Sequence, residues 1–347
     1  MKAFIIKEPN VAEIVEIEKP VPAPDEVMAK VAHCGICGTD ISIHDGTLNL
    51  GKGNDPIYPV RIGHEWSGIV AEVGKNVTRF KPGDKVIGDT GWSCGVCEFC
   101  YRGDSNSCPH GRAVGTIGNC WPGAFAEYML MPARELFHVP DNVPLDVAAL
   151  VEPSCVGFYG LTRTPLGPGS NLLVMGTGPI SLGGLACAKG IGAGKTILAG
   201  RKDAKLAIGK KMGADIIVNM DKEDIREVVM RETNGRGADI VLDSTGAASL
   251  INLSVSLARS SGYIVTPGFY EELLNGFAID NIIVRNCVLI GSGGTPDMQR
   301  RVLDMLAYGH VNLAPMITDH YPFADIKTAF AAVKQKGDTR VKVMVDF

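Results

Sequence analysis

The sequence predicts an α/β protein built around a doubly wound parallel sheet. Two observations lead to this prediction: an apolar segment that runs directly into a glycine-rich turn, and five strand-like runs after it, most of them separated by helix-like segments. Strands and helices that alternate in this way form a mostly parallel sheet with helices on both faces. The chain has 347 residues, enough for two domains, so the sheet accounts for only part of it.

The first strand of this sheet and its turn are predicted at residues 171–182. They contain the pattern G-x-G-x-x-G, except that Ser181 stands at the third glycine. Gly176 permits the tight turn, and Gly178 lets a pyrophosphate approach the backbone at the helix N-terminus. A single glycine-rich turn is weak evidence, but the later strands supply the context of a dinucleotide-binding domain. Those strands are predicted at residues 195–200, 215–219, 238–245, 262–268 and 287–292.

The end of the second strand indicates which dinucleotide binds. In NAD-binding domains a carboxylate about 20 residues past the turn hydrogen-bonds the ribose 2′-hydroxyl. Here Gly200 occupies that position and is followed by Arg201 and Lys202. A glycine does not repel a 2′-phosphate, and the arginine offers it bidentate hydrogen bonds, so the sequence favours NADP over NAD. Alternatively, the two cations belong to a solvated helix start that Asp203 caps.

Four of the ten cysteines lie close together, at Cys94, Cys97, Cys100 and Cys108. The Cys-x2-Cys steps let turns aim successive thiolates at one point, and four thiolates close a tetrahedral shell. The pattern therefore predicts a structural zinc site that braces a loop. An iron–sulfur cluster, which also uses four cysteines, and four free thiols are the alternatives. Without a secretion signal, a disulfide framework is the less natural interpretation.

A second constellation combines different ligand types. Cys37, His64, Glu65 and Glu152 lie in three separate segments and together offer one soft and three harder metal ligands. Catalytic zinc sites use few protein ligands of these types and leave a position for water or substrate. Each residue alone is unspecific, because a single Cys is usually a buried small hydrophobe and a single His is more often structural.

Composition excludes two classes of partner. The chain carries 34 basic and 38 acidic residues, a formal net charge of −4, and so lacks the basic footprint of a nucleic-acid-binding protein. The sequence has no apolar run near the ~18 residues of a membrane helix, and its N-terminus has no signal-peptide pattern. We therefore expect no nucleic-acid or membrane partner and a cytoplasmic location.

Taken together, the motifs resemble those of the zinc-dependent medium-chain dehydrogenase/reductase family. The resemblance covers essentially the whole chain. It is most specific at residues 63–74 (Gly-His-Glu-x-x-Gly-x-Val-x-x-Val-Gly), residues 81–86 (Lys-Pro-Gly-Asp-Lys-Val), the four-cysteine segment and residues 176–179. The sequence Val-Glu-Pro at residues 151–153 resembles the polyol (sorbitol/L-iditol-like) or threonine dehydrogenase branch of the family.

The resemblance implies a specific architecture. A Rossmann-type doubly wound parallel sheet is inserted after a GroES-like, mostly β catalytic domain. The implied catalytic domain comprises residues 1–150 plus 291–347, and the implied dinucleotide-binding domain comprises residues 151–290. Members of the family are usually homo-oligomers, so we expect a homodimer or homotetramer.

The resemblance also assigns roles to individual residues. Cys37, His64 and Glu152 match the ligands of a catalytic zinc, and Glu65 matches a position that ligates this zinc only in some members. Thr39 matches the hydroxyl that hydrogen-bonds the substrate oxygen. With the four-cysteine segment, this implies two zinc ions per chain. The expected cofactor-binding residues are Gly176, Gly178, Pro179, Ile180, Gly200, Arg201, Lys202, Lys205, Thr245, Gly268, Gly291 and Ser292.

The implied activity is that of a zinc- and NAD(P)-dependent oxidoreductase, with NADP preferred over NAD. It interconverts a secondary alcohol of a polyol-like substrate and its ketone by hydride transfer. An amino-alcohol, aminocyclitol or sugar-alcohol-phosphate dehydrogenase is an alternative within the enzymes. An alternative of another class is a non-catalytic nucleotide-binding or redox-sensing protein, although the intact metal-ligand positions argue against it.

The sequence departs from the polyol branch close to the first zinc ligand. Ser42 stands where many members place a relay histidine, and His44 is either shifted into that relay or a surface residue. Candidates for the wall of the substrate pocket are Trp92, Trp121 and Glu127. Candidates for binding a phosphorylated polyol are Arg61, Arg112 and Arg134.

Overall fold

The computed structural model describes residues 1–49, 55–103, 107–116, 120–270, 273–293, 295, 298–335 and 337–347. Contacts divide the chain into two units. The first unit comprises Met1–Glu152, Asp319–Gly337 and Lys342–Phe347, and the second comprises Pro153–Thr318 and Asp338–Val341.

These boundaries differ from the predicted ones at the chain's return to the first unit. The sequence predicted this return at residue 291, whereas the contacts place it at Asp319. The reason is the helix Met298–Ala307, which packs against the helix Pro179–Gly190 of the second unit. The other predicted boundary, at residue 150, lies within two residues of Glu152.

Strands dominate the N-terminal part of the chain, and strands alternate with helices from residue 172 onward. The strands are β1 (Lys2–Glu8), β2 (Val11–Glu16), β3 (Glu26–Gly35), β4 (Glu65–Val73), β5 (Lys85–Gly88), β6 (Gly91–Trp92), β7 (Arg112–Ala113), β8 (Tyr128–Pro132), β9 (Leu136–His138), β10 (Leu172–Met175), β11 (Thr196–Gly200), β12 (Ile216–Asn219), β13 (Ala238–Asp243), β14 (Ala258–Thr266), β15 (Val288–Gly291), β16 (Ile317–Pro322) and β17 (Lys342–Asp346). The helices are α1 (Gly38–Asp45), α2 (Glu98–Tyr101), α3 (Leu145–Ala148), α4 (Val151–Thr162), α5 (Pro179–Gly190), α6 (Asp203–Lys211), α7 (Ile225–Glu232), α8 (Ile251–Leu257), α9 (Asp280–Val284), α10 (Met298–Ala307) and α11 (Ile326–Lys334).

A parallel sheet of six strands forms the centre of the second unit, in the order β12-β11-β10-β13-β14-β15. This is the strand order of doubly wound dinucleotide-binding folds, and it reverses between β10 and β13. β10 and β11 are buried along their whole length, which is why they are continuous apolar runs rather than alternating ones. The six predicted strands are confirmed, but β14 begins four residues before the predicted residue 262.

That early start of β14 has a local cause. Ala258 pairs with Ala238, and the register then shifts before Tyr263 pairs with Ile240. The residues between them, Arg-Ser-Ser at 259–261, are polar, so the apolar pattern did not indicate a strand there.

Glycines set the spacing between two helices of the second unit. A Cβ placed on Gly157 of α4 would collide with the carbonyl oxygen of Ile180 and lie 3.0 Å from the Cα of Gly184, both in α5. The two helix backbones therefore touch at these glycines. Part of the high glycine content, 42 residues, thus serves close packing and not ligand binding.

The first unit is mostly β structure. Its main sheet has the order β16-β17-β3-β4-β5-β9, and β8 also pairs with β3. The ten-residue strand β3 is antiparallel to β17, β4 and β8, so it is the central element of the unit. The core of the first unit contains large side chains that are 2% exposed or less, among them Phe4, Trp66 and Phe125.

A buried ion pair joins β4 to β17. The ammonium of Lys342 lies 2.7 Å and 2.5 Å from the two carboxylate oxygens of Glu65, and it donates a hydrogen bond of 3.1 Å to the Ile36 carbonyl. The side chains are 2% and 1% exposed. Burial alone would lower the pKa of Lys342, but the charges of Glu65, Cys37 and Glu152 and the hydrogen bond to Glu65 together outweigh burial and raise it. Gly35 lies opposite Glu65, and a Cβ there would collide with the carboxylate.

We predict that Lys342→Met destabilises the protein by about 3–5 kcal/mol, because it leaves the Glu65 carboxylate buried without a countercharge. Urea unfolding measures the change. Lys222→Met is the matched control, since the pair of Lys222 with Asp203 is about 63% exposed and solvent screening leaves its loss with little effect on stability. The double variant Glu65→Gln/Lys342→Met should recover part of the loss. If Lys342→Met and Lys222→Met lowered the free energy of unfolding equally, the buried pair would have no structural role.

Candidate functional site

Three of the predicted metal-ligand residues meet in the first unit. Ligand atoms of Cys37, His64 and Glu65 all lie within 4.8 Å of one another. Cys37 directly precedes α1, His64 directly precedes β4, and Glu65 is the first residue of β4. The antiparallel pairing of β3 with β4 brings the two segments together, because Gly35 is the partner of Glu65.

Asp40, which has no role in any of the sequence motifs, completes this cluster. Its side chain is fully buried, and its Oδ2 accepts a hydrogen bond of 2.8 Å from the backbone N–H of Cys37. Its Oδ1 lies 3.6 Å from Nδ1 of His64, and neither atom has a hydrogen-bond partner among the described residues. A carboxylate that faces the second nitrogen of a ligating imidazole is typical of metal sites. The spacing Cys-x-x-Asp at the start of a helix was the available signal.

The cluster holds more buried acid groups than its cations can balance. Burial, with a contribution from the charge of Glu65, raises the pKa of the Cys37 thiol to about 12. Burial also raises the pKa of Asp40 to about 6, although the neighbouring His64 opposes this shift. A half-buried thiol beside a buried imidazole and buried carboxylates, with raised pKa values for Cys37 and Asp40, fits a divalent cation, which stabilises the deprotonated ligands.

Glu152 stands apart from the three clustered residues. It lies in the first turn of α4, is partly exposed, and is not in the group whose ligand atoms are within 4.8 Å. Burial raises the pKa of its carboxyl to about 8. Burial opposes the charged form of His64, but the charges of Asp40 and Glu152 outweigh it and raise the pKa of this imidazole. The role of Glu152 as a ligand therefore stays a prediction.

Hydroxyl groups lie near the cluster, whereas His44 is engaged elsewhere. Oγ1 of Thr39 is 3.8 Å from Sγ of Cys37, and Ser42 follows on the same helix, α1. Nδ1 of His44 lies 2.8 Å from Oδ1 of Asp45 and 3.2 Å from Nζ of Lys334, and the ring packs against Phe330. His44 lies in the last turn of α1 and its side chain is 15% exposed, so it is not the surface residue of the second interpretation, and these contacts give it a structural role.

The four-cysteine segment forms a second cluster. Ligand atoms of Cys94, Cys97, Cys100 and Cys108 all lie within 4.8 Å of one another. Three Sγ–Sγ distances are 3.5, 3.8 and 3.9 Å. Thiolates 2.3 Å from a tetrahedral zinc are separated by about 3.8 Å, so the thiols already have the spacing of a zinc shell. A backbone hydrogen bond from Val96 lowers the pKa of Cys94, which favours the thiolate that binds a metal.

The aromatic candidates for a substrate wall have structural partners. Trp92 and Trp121 stack with ring centroids 5.7 Å apart, Arg134 lies over Trp92, and Arg112 lies over Trp121. This four-layer stack explains both tryptophans and two of the three arginine candidates as supports of the four-cysteine segment. Glu127 accepts a hydrogen bond of 2.8 Å from the backbone of Lys2.

The predicted cofactor residues lie at the carboxyl ends of the parallel strands of the second unit. Gly176 follows β10, Gly200 ends β11, Thr245 follows β13, Gly268 follows β14, and Gly291 ends β15 with Ser292 after it. In doubly wound sheets, ligands bind at this edge. Oδ1 of Asp243, the last residue of β13, accepts hydrogen bonds from the backbone and hydroxyl of Thr245.

Different constraints favour glycine at the two positions of the turn, Gly176 and Gly178. Gly176 has φ = +104°, and a Cβ there would lie 2.9 Å from Oγ of Ser181, so local structure requires glycine. Gly178 has φ = −85°, and a Cβ there would meet nothing within 4 Å. Packing does not require glycine at position 178. Close approach of a ligand to the start of α5, where Pro179 and Ile180 follow, does explain it.

The cations at the end of β11 are exposed. The side chains of Arg201 and Lys202 are 65% and 50% exposed; Arg201 lies 3.9 Å from Asp221, and Lys202 lies 2.9 Å from Asp338. The alternative that Asp203 caps α6 is wrong. Lys202 is the N-cap residue, and the Asp203 carboxylate instead accepts hydrogen bonds from Asn219 and Lys222. Lys205 is partly buried, and burial lowers its pKa.

None of the helices in the described residues is long and apolar enough to span a membrane.

Two family profiles match the chain. A profile described as "Alcohol dehydrogenase GroES-like domain" matches residues 23–141, and one described as "Zinc-binding dehydrogenase" matches residues 179–307. The first lies within the mostly β unit, and the second lies within the unit with the parallel sheet.

Characterised relatives and a solved structure are similar over nearly the whole chain. A D-arabitol-phosphate dehydrogenase from Enterococcus avium is 36% identical over 96% of this chain and 93% of that protein. A sorbitol dehydrogenase from Bacillus subtilis is 32% identical over 99% of this chain and 97% of that protein. A putative zinc-binding dehydrogenase from Sinorhizobium meliloti, solved bound to NADP, has a TM-score of 0.90 and 29% identity over 100% of this chain and 99% of that one. The predicted fold class is confirmed, and the chain belongs to the zinc-dependent medium-chain dehydrogenase/reductases.

Proposed function

We propose that the chain is a zinc- and NAD(P)-dependent polyol dehydrogenase that interconverts a secondary alcohol and its ketone. The observation that carries this proposal is the cluster of Cys37, His64, Glu65 and Asp40, a buried ligand set with an excess of acid groups. The phosphate-binding turn at Gly176 and Gly178 supports the cofactor class. The sorbitol and arabitol-phosphate dehydrogenases among the relatives support the polyol class.

The residues that would hold the catalytic zinc are Cys37, His64 and Glu152, with Asp40 orienting the imidazole of His64. The ion pair with Lys342 restrains Glu65, which lies within reach of the same ligand atoms. A zinc ion held by these residues would supply Lewis-acid polarisation of the substrate oxygen, and a nicotinamide cofactor would supply the acceptor for the hydride. The four cysteines at 94, 97, 100 and 108 would hold a second, structural zinc, which gives two per chain.

Proton movement falls to hydroxyl groups of α1. Thr39 presents Oγ1 beside the Cys37 thiol, where it can accept the proton of the substrate hydroxyl. Ser42 lies three residues further along α1, so the two side chains share one face of the helix. We assign the relay to Thr39 and Ser42, because His44 is held by Asp45 and Lys334.

A polyol phosphate is the second candidate substrate, and Arg61 favours it. Among the three arginine candidates, Arg112 and Arg134 stack on tryptophans, whereas Nε of Arg61 is buried without a hydrogen-bond partner among the described residues. Burial lowers the pKa of Arg61 to about 10, so its guanidinium stays charged at neutral pH. It lines a cavity of about 340 Å³ together with Ile57 and Cys120. An anion in this cavity would supply the missing partner.

The test is a substrate screen with free polyols such as sorbitol and arabitol and with their phosphate esters, read at the nicotinamide absorbance. We expect the wild type to turn over substrates of this class and Cys37→Ser to lose this activity. The control is Cys287→Ser, at a cysteine outside both clusters. If an ester is preferred, Arg61→Ala should lower its kcat/KM about 10- to 100-fold, as expected for hydrogen bonds to a charged group, and spare the free polyol. Turnover that survives in Cys37→Ser would contradict the proposal.

NADP is the cofactor we propose over NAD. Gly200 leaves no carboxylate to repel a 2′-phosphate, and the exposed Arg201 and Lys202 follow it directly. The two cations form ion pairs with Asp221 and Asp338, whose side chains are at least 60% exposed. Solvent screening weakens these ion pairs, so the cations can exchange their carboxylate partners for a 2′-phosphate. The relative from Sinorhizobium meliloti that was solved bound to NADP supports this proposal.

We predict that kcat/KM is higher with NADP than with NAD and that Arg201→Ala lowers the NADP value about 10- to 100-fold, because it removes charge-assisted hydrogen bonds to the 2′-phosphate. The value with NAD should change little. Arg231→Ala is the control, since Arg231 is similarly exposed, at 63%, and pairs with a neighbouring glutamate. A wild-type preference for NAD would overturn this assignment.

Homodimerisation is proposed through the outer edge of the parallel sheet. β15 lies at the end of the strand order, and large apolar side chains on it and on α9 are 41–80% exposed. They are Ile283, Val284, Val288 and Leu289. An edge strand and an apolar face can pair with the same surface of a second copy about a two-fold axis.

Sedimentation equilibrium should give a dimer or a tetramer for the wild-type chain. Val284→Asp should shift it toward the monomer, because it places a charge in the apolar face. Val21→Asp is the control, since Val21 is equally exposed, at 80%, on the first unit. A monomeric wild-type chain would rule out the dimer.

The ten cysteines are all free thiols, which is the state expected in a reducing compartment. On this basis we propose that the enzyme works in the cytoplasm.

A further inference from the structure

A third cluster of metal-ligand residues lies on the main sheet of the first unit, separate from the two already described. It consists of His33, His320 and Asp346, whose ligand atoms all lie within 4.8 Å of one another. His33 is on β3, Asp346 on β17 and His320 on β16, which are three adjacent strands. Asp346 is the direct cross-strand partner of His33. The three residues thus form a row across the sheet.

Both imidazoles point the same nitrogen at one carboxylate. Nδ1 of His33 is 2.8 Å from Oδ1 of Asp346, and Nδ1 of His320 is 3.0 Å from both carboxylate oxygens. The rings meet edge to face with centroids 6.4 Å apart. Two imidazole nitrogens and a carboxylate therefore lie close together, and both nitrogens contact the Asp346 carboxylate directly.

We propose that His33, His320 and Asp346 bind a divalent transition-metal ion of the zinc type. Two histidines and one carboxylate are a ligand set that such ions prefer, and three protein ligands leave room for water. Ligands 2.0–2.1 Å from a tetrahedral zinc are about 3.4 Å apart, so the nitrogen–oxygen contacts of 2.8–3.0 Å need to open by only about 0.5 Å.

Solvent access distinguishes this cluster from the one at Cys37. The side chains are 26% exposed for His33, 37% for Asp346 and 44% for His320, so an ion can enter and leave without unfolding. The cluster therefore has the character of an exchangeable site, occupied according to free metal concentration.

Binding at this row would clamp the C-terminal strand. Lys342, which pairs with Glu65, begins β17, and Asp346 ends it four residues later. Residues with even spacing share one face of a strand, so the two side chains lie on the same face about 13 Å apart. An ion that ties Asp346 to β3 and β16 thus stabilises the strand that carries the partner of Glu65. This proposal does not depend on the proposed enzyme function.

The test is equilibrium dialysis of the zinc-loaded full chain against buffered Zn²⁺, with bound metal counted by mass spectrometry. We expect the wild type to bind one more Zn²⁺ per chain than His320→Ala, and its melting temperature to rise as this ion binds. His310→Ala, at an exposed histidine outside the row, should behave like the wild type.

Asp346→Asn separates metal binding from simple hydrogen bonding. The amide oxygen still accepts a hydrogen bond from an imidazole N–H, so a metal-free tie between the strands survives, but the charge that binds the ion is gone. We expect this variant to bind the extra ion about 10- to 100-fold more weakly while its melting temperature without added metal stays near that of the wild type. Equal zinc stoichiometry in the wild type and His320→Ala, or unchanged affinity in Asp346→Asn, would overturn the proposal.

Discussion

The buried ion pair between Glu65 and Lys342 is the constraint on which the first unit depends. It joins two strands, β4 and β17, that are more than 270 residues apart in sequence, and it lies beside the Cys37–His64 cluster. A buried carboxylate with no countercharge is costly, so Glu65 is tolerable only once the C-terminal strand has added its lysine. Completion of the sheet and completion of the site are therefore the same event. Gly35 belongs to this arrangement too, because any side chain there would displace the carboxylate.

In the second unit, backbone conformation at the candidate ligand-binding edge matters more than charge. Its parallel strands end at one edge, and the residues at that edge are small, so a ligand can lie against the backbone. At Gly176 the positive φ demands glycine, whereas at Gly178 neither φ nor packing does. At Gly200 the situation is mixed. A Cβ there would lie 2.6 Å from Cγ2 of Thr177, so packing favours glycine at the position where a carboxylate would otherwise decide between NAD and NADP.

Sequence reasoning found what is local and periodic. The six strands, the glycine-rich turn and the four-cysteine segment are each defined by short-range spacing, and the structure places all of them as expected. It missed what depends on partners far apart in sequence. Lys342 carries no motif, Asp40 offers only the short Cys-x-x-Asp spacing, and the return of the chain at Asp319 is set by the packing of α10 on α5. The place of Trp92 and Trp121 in a pocket wall stays a prediction, and only the fold shows that arginines cover both faces of the pair.

The charges of the ionisable groups around His64 can be balanced one by one in the proposed metal site. Cys37, Asp40, Glu65 and Glu152 are four acid groups around one histidine, and Lys342 neutralises Glu65. Asp40 faces His64 and receives the N–H of Cys37, so its charge acts on the imidazole side of the cluster. In the proposed site, the remaining thiolate and carboxylate, Cys37 and Glu152, would together carry the two negative charges that balance a divalent cation. Without that cation, burial raises the pKa of both groups, to about 12 and about 8. At neutral pH the folded unit then holds a proton on Glu152 that the unfolded chain would release, whereas the Cys37 thiol is protonated in both states. Metal binding expels both protons, so the affinity of the proposed ligand set for zinc must rise with pH.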